Sequence, residues 1–272
     1  MFRISQGQLN VLTTCPRKFQ YTYIEELGTP YTAEQQEKIA WGSKFHLLMQ
    51  QQEIGLPIES IAETDTEIKR SVNAFIDTTP ELFPPAQNSD FTFRQAEHPR
   101  TLIFQNYLIT VIYDLLIAEQ TRAQILDWKT YPRPQNHELL AENWQTRLYL
   151  YVLAETSNYL PEQISMTYWF VQLKSETTPQ KSQFNYTEKD REKTRQDLAQ
   201  IFSKLTAWLD SYYEQGEPFP QVKITDNKCQ YCQFITRCDR HQETTENSLT
   251  NITINSSPDW FTNIDIIEEI SI

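Results

Sequence analysis

The sequence predicts an α/β protein, a β-sheet packed against helices, and three observations carry that prediction. Tyr107–Lys129 reads as two apolar strands, Tyr107–Ala118 and Gln124–Lys129, joined by a polar turn. A further apolar run, Ile164–Leu173, follows a helical stretch, Glu138–Ser157. From Thr187-x-x-Asp190, which resembles a capping box, Leu198, Ile201, Phe202, Leu205, Trp208, Leu209 and Tyr212 recur at helical spacing until Gly216 stops the helix.

In chain order, Ser5 is a plausible N-cap for a first helix with Leu9, Leu12 and Phe19 on its apolar face. Glu34–Ile54 reads as a helix carrying Trp41, Phe45 and Leu48, in which Gly42 permits close approach of another backbone and His46 lies one turn on. Thr66–Asp77 reads as another, closed off by Pro80, Pro84 and Pro85. Phe91–Ile117 is strand-rich, with a turn at Gln105-Asn106. Glu97, near its start, reads as a solvated glutamate or an accessory carboxylate. Gln145 and Tyr149, four residues apart, share one helix face. Phe184–Tyr186 is the last expected strand.

Side chains alternate along a strand, so Asp127 and Lys129 project to one face and Trp128 to the other. With Asp114 on the preceding strand, two carboxylates and a lysine suit a hard cation such as Mg²⁺ or Mn²⁺. The lysine is placed to hold an attacking water or to offset charge developing on a phosphate. The plainer alternative is an exposed ion pair.

Composition narrows the function classes. Five glycines in 272 residues leave no phosphate-binding loop or dinucleotide fingerprint. A net charge of −12 argues against a protein that coats nucleic acid electrostatically. The segment 241–272, an acidic and flexible tail by composition, holds six of those charges and no Lys or Arg. No run reaches the length of a membrane span and the N-terminus lacks a signal-peptide core, so the expected location is the cytoplasm.

There, four cysteines are expected to be metal ligands or buried thiols. Cys229-x2-Cys232-x5-Cys238 is a compact trio and Cys15 is the fourth. Four thiolates suit tetrahedral zinc or an iron–sulfur cluster, and a single C-x2-C knuckle leans towards the cluster. Joining Cys15 to the trio closes a loop of roughly 200 residues, worth several kcal/mol in the chain-entropy model.

The order of these motifs resembles the RecB-like branch of the PD-(D/E)XK nuclease superfamily, over most of residues 4–240. The resemblance rests on Cys15-Pro16-Arg17-Lys18-Phe19, Gly42-x-x-x-His46, Asp114, Asp127-x-Lys129, Gln145-x-x-x-Tyr149 and the cysteine trio. It implies a restriction-endonuclease-like mixed sheet flanked by helices, a helical insertion over about 30–85, and a single nuclease domain at 1–240. The cysteine layout is similar to that of the iron–sulfur members, which implies a structural [4Fe-4S] cluster on Cys15, Cys229, Cys232 and Cys238. By position, His46, Asp114 and Asp127 would ligate Mg²⁺ or Mn²⁺, helped by the Trp128 carbonyl. Lys129 would orient the attacking water, while Gln145 and Tyr149 would contact the phosphate or brace the site.

The implied activity is metal-dependent exonucleolytic hydrolysis of DNA, at single-stranded ends, in repair and recombination. Processing of new CRISPR spacers beside an adaptation protein, a non-catalytic grip on DNA ends or a partner helicase, and a zinc-stapled scaffold remain the alternatives. Two departures bear on substrate approach: Val111 replaces a common glycine, and Tyr113 and Leu115 stand where a basic residue is frequent.

Overall fold

The computed structural model describes residues 1–28, 30–58, 66–82, 93–134, 136–171, 179–230 and 232–240. The expected tail, Phe91, Pro84, Pro85 and residues 172–173 lie outside them. The chain divides into two compact units, one of Met1–Gln6 and Tyr31–Gln200, the other of Gly7–Pro30 and Ile201–Ile270.

The first unit is built on a six-stranded mixed sheet: β1 (Phe2–Ile4), β2 (Phe93–Phe104), β3 (Tyr107–Ala118), β4 (Ala123–Lys129), β5 (Ile164–Phe170) and β6 (Gln180–Asn185). β2 and β3 form a hairpin in register from Phe104↔Tyr107 to Phe93↔Ala118, turning at Gln105, whose φ is 53°. The other edge of β3 changes partner. β1 pairs with it in parallel up to Ile109, and β4 takes over, antiparallel, from Leu115. Between those two ladders lies Asp114.

β4 and β5 run parallel in register Asp127↔Tyr168 and Lys129↔Phe170. A parallel pair needs a crossover, supplied here by α5 (His137–Glu142) and α6 (Trp144–Glu155). One helix was expected over Glu138–Ser157. Asn143 breaks it, because its extended backbone lets its side chain accept the Gln145 N–H at 2.8 Å and start a new helix.

One sheet face, with Leu115, Ile117, Leu126, Trp128 and Trp169, packs against α3 (Ala33–Glu53) and α4 (Thr66–Thr78) through Trp41, Phe45, Leu48, Val72 and Phe75. Thr32 and Gln35 close a capping box at the start of α3. Asp127, Lys129 and Tyr168 lie on the opposite face, as alternation requires.

The second unit holds most of α1 (Gln6–Thr14), then α2 (Pro16–Phe19), a π-helical turn at Gln20–Ile24, the second half of α7 (Glu188–Gln215) and the segment to residue 240. Its polar centre is a clamp on Phe219. Arg17 Nε donates to the Phe219 carbonyl at 2.6 Å, and Phe219 N–H donates to Gln20 Oε1 at 2.6 Å. The Gln20 amide in turn donates to Glu25 at 2.6 Å. Phe19, Trp208 and Tyr212 pack on the Phe219 ring.

Candidate active site

The change of strand partner leaves backbone groups near Asp114 without a ladder, and the Asp114 side chain fills that role. Its Oδ2 accepts the Trp128 backbone N–H at 2.6 Å, tying β3 to β4 where their ladder has ended. Its Oδ1 lies 3.2 Å from His46 Nδ1 on α3. Across the hairpin the β2–β3 ladder lapses at Glu97, which takes a left-handed φ of 47°. A side-chain-bearing residue is strained there by about 1–3 kcal/mol. Ligand atoms of His46, Glu97 and Asp114 all lie within 4.8 Å of one another. One imidazole and two carboxylates are a donor set that fits a divalent cation of the Mg²⁺ or Mn²⁺ class.

Beside this triad is a second, buried cluster. Asp127 is fully buried, its Oδ1 2.8 Å from Lys129 Nζ and its Oδ2 2.8 Å from the Gln145 amide nitrogen. The Tyr168 ring lies under Lys129, with Nζ 5.5 Å from its centroid. Its hydroxyl meets Thr146 Oγ1 at 2.9 Å. Burial, with Asp127 adding to it, pushes that phenol well above the usual tyrosine range. Neighbouring His98 is held below the ordinary histidine value by burial and then by Arg100. Arg100 Nε donates to His98 Nε2 at 3.3 Å, so the His98 proton sits on Nδ1, 2.9 Å from Gln95 Oε1.

The sequence matches the family profile described as the PD-(D/E)XK nuclease superfamily over residues 3–239. The chain belongs to the PD-(D/E)XK nuclease superfamily. The crystal structure of a candidate exonuclease from Eubacterium rectale shares the fold, at a TM-score of 0.51 and 10% identity over 89% of each chain. The crystal structure of SSO0001 superposes less well, at a TM-score of 0.36 and 12% identity over 89% of this chain and 88% of that one. No curated protein matches the chain.

Within this PD-(D/E)XK fold the expected site residues separate. His46 and Asp114 come together with Glu97, while Asp127 pairs with Lys129 and Gln145. Gln145 braces a carboxylate. Tyr149 is core: its ring packs edge-on to Tyr113, and its carbonyl accepts the Tyr113 hydroxyl at 3.0 Å. Of the two readings of Glu97, solvated glutamate or accessory carboxylate, the structure favours the second, since it joins the triad. The signal lay in register, since a two-residue turn at Gln105-Asn106 sets Phe104 opposite Tyr107 and therefore Glu97 opposite Asp114. Gly42 does sit at a close approach, but the neighbour is a side chain: a Cβ there would lie 3.2 Å from Thr130 Oγ1.

The four cysteines are free thiols within the second unit. Burial raises the Cys229 and Cys238 thiols, and Cys15 and Cys232 raise both further. Among the described residues the four Sγ atoms do not close into a ligand set as the donor atoms of His46, Glu97 and Asp114 do. No helix of the described residues is long and apolar enough to cross a membrane.

Proposed function

We propose that the chain is a divalent-metal-dependent deoxyribonuclease acting exonucleolytically at single-stranded DNA ends, with a role in repair and recombination. The observation that carries this is the adjacency of two chemically distinct clusters, an open mixed-ligand triad and a buried Asp127–Lys129 pair. His46, Glu97 and Asp114 would hold the metal. Bound Mg²⁺ or Mn²⁺ supplies Lewis-acid polarisation of the phosphoryl oxygen and a more acidic water.

The protein's own groups do the rest. Asp127 fixes the Lys129 ammonium at 2.8 Å, and the Gln145 amide holds Asp127 from the other oxygen. Lys129 is thereby ready to orient water or meet charge developing on a phosphate oxygen. Asp114, tied to the Trp128 N–H, keeps the two clusters in fixed relation.

For the cysteines we propose a structural [4Fe-4S] cluster on Cys15, Cys229, Cys232 and Cys238. The C-x2-C-x5-C spacing and the place of all four cysteines in one unit support it. Anaerobically purified protein is expected to absorb near roughly 400 nm. A colourless protein carrying zinc replaces the cluster with a zinc site.

The activity is tested on end-labelled single- and double-stranded DNA with Mg²⁺ or Mn²⁺, wild type beside Lys129→Met. Metal-dependent shortening from an end, lost in the variant, is expected. A folded wild type that binds DNA without cutting it would leave an end-binding module in place of an enzyme.

A further inference from the structure

The triad draws its ligands from three elements, and only two of them are locked together by backbone. The β2–β3 ladder, paired on either side of Glu97 and Asp114, holds those two opposite one another, whereas His46 stands on α3, which packs on the sheet through apolar side chains. Apolar contacts are non-directional and do not by themselves select a single height and rotation for a helix. A second, polar tie joins α3 to β2. Glu53, the last residue of α3, makes a two-point ion pair with Arg94 of β2, through Nε on one oxygen and Nη2 at 2.7 Å on the other. Arg94 Nη2 also donates to the Leu82 carbonyl at 2.6 Å. Both side chains are largely shielded, at 16% and 12% exposure, so the geometry is held more firmly than in a surface pair.

The spacing of this tie matches the triad. His46 and Glu53 are two helical turns apart, about 10 Å along α3. Glu97 and Arg94 are three residues apart in the opposite sense along β2, again about 10 Å. α3 and β2 therefore run antiparallel, joined by two rungs of equal separation: His46 against Glu97 and Asp114, and Glu53 against Arg94. Slipping the helix by one turn, 5.4 Å, would break both rungs together.

We infer that the Glu53–Arg94 pair is a positioning device for the metal site, setting the height and rotation of α3 so that His46 reaches Glu97 and Asp114. This rests on the reading of His46, Glu97 and Asp114 as metal ligands. Breaking the pair loosens one ligand of three without touching any of them. By analogy with outer-shell partners of metal ligands, about ten-fold of affinity is lost.

The test is calorimetric titration of the full chain with Mn²⁺, in the absence of DNA. His46→Ala first establishes that wild-type binding occurs at the triad. Arg94→Met is expected to weaken Mn²⁺ binding about ten-fold, Arg94→Lys to recover part of it, and the charge-swapped Glu53→Arg/Arg94→Glu pair to recover more than Arg94→Met alone. Arg191→Met is the control: it breaks a more exposed pair with Glu155, 2.6 Å long, and a contact with Glu188, none of these residues lying on α3 or β2. It is expected to lower stability while leaving Mn²⁺ affinity as it was. Should Arg94→Met fail to fold, Glu53→Gln carries the same expectation. Wild-type affinity in Arg94→Met or Glu53→Gln, or an equal loss in Arg191→Met, overturns the inference while the triad stands. Absence of Mn²⁺ binding by the wild type, or binding unchanged by His46→Ala, overturns the triad and this inference with it.

Discussion

Replacing Glu97 by glycine should make the metal-free protein more stable and the metal-loaded protein relatively less so. Two terms favour the variant. A non-glycine residue at φ 47° carries about 1–3 kcal/mol of strain that glycine does not. The Glu97 carboxylate also lies within 4.8 Å of Asp114. Two like charges at that distance repel by about 1 kcal/mol at the dielectric of water and about 3 kcal/mol at an effective value near 20. Against these stands the greater freedom of glycine in the unfolded chain, about 0.5–1 kcal/mol. The net expectation is a gain of about 1–5 kcal/mol without metal. Mn²⁺ at 100 times its dissociation constant then stabilises the wild type by about 2.7 kcal/mol, and a variant lacking one of three ligands gains far less. The measurement is urea unfolding followed by tryptophan fluorescence, with chelator and with Mn²⁺. Glu97→Ala separates the terms, since it removes the charge and keeps the strained φ. A Glu97→Gly variant less stable than wild type in chelator, or a ranking that Mn²⁺ leaves untouched, would refute the reasoning.

Further outcomes follow from the same geometry. Lys129→Met strands the fully buried Asp127 carboxylate and should lower stability by about 3–5 kcal/mol, whereas Asp127→Asn with Lys129→Met should recover much of that loss and no cleavage; denaturant midpoints beside the nuclease assay check both. His98 is held below its ordinary value, so as pH falls past about 6.5 the unfolded chain takes up a proton that the fold refuses, and stability is lost until the folded imidazole charges. His98→Gln should flatten that fall below about pH 6.5. Gln20→Leu leaves the Phe219 N–H without its acceptor and should destabilise the second unit by about 1–3 kcal/mol, followed through Trp208 fluorescence.

The sequence made some features plain and hid others for physical reasons. The β3 strand matches its expected limits, Tyr107–Ala118, α3 is shifted by one residue at each end and α4 runs one residue longer at its C-terminus, because long periodic runs are governed by burial of one face. β1 was not foreseen: three residues, Phe2–Ile4, have no period to read and are strand only because β3 offers them an edge. The interruption at Asn143 was missed because apolar residues on both sides keep one helical pattern, whereas a cap is a local hydrogen-bond decision. Asp114, Asp127 and Lys129 were legible as a group from strand alternation. Their division into two clusters was not, since it follows from where a ladder ends. Glu97 could have been placed by counting back from the turn, but its positive φ leaves no trace in composition.

The partner change along β3 alters what can be concluded from genome sequences. Asp114 accepts a backbone N–H that no neighbouring strand takes, and Asp127 and Lys129 neutralise one another in the buried interior. A descendant that had stopped cutting DNA would still be held to these three residues by folding alone, so their presence in a relative is weak testimony to activity. Glu97 is different. Its backbone is strained and its charge faces another carboxylate, so folding alone holds it less firmly than the other three. Among descendants of this chain, an intact Glu97 is the better marker of a working nuclease, and its drift to glycine is the earliest mark of a retired one.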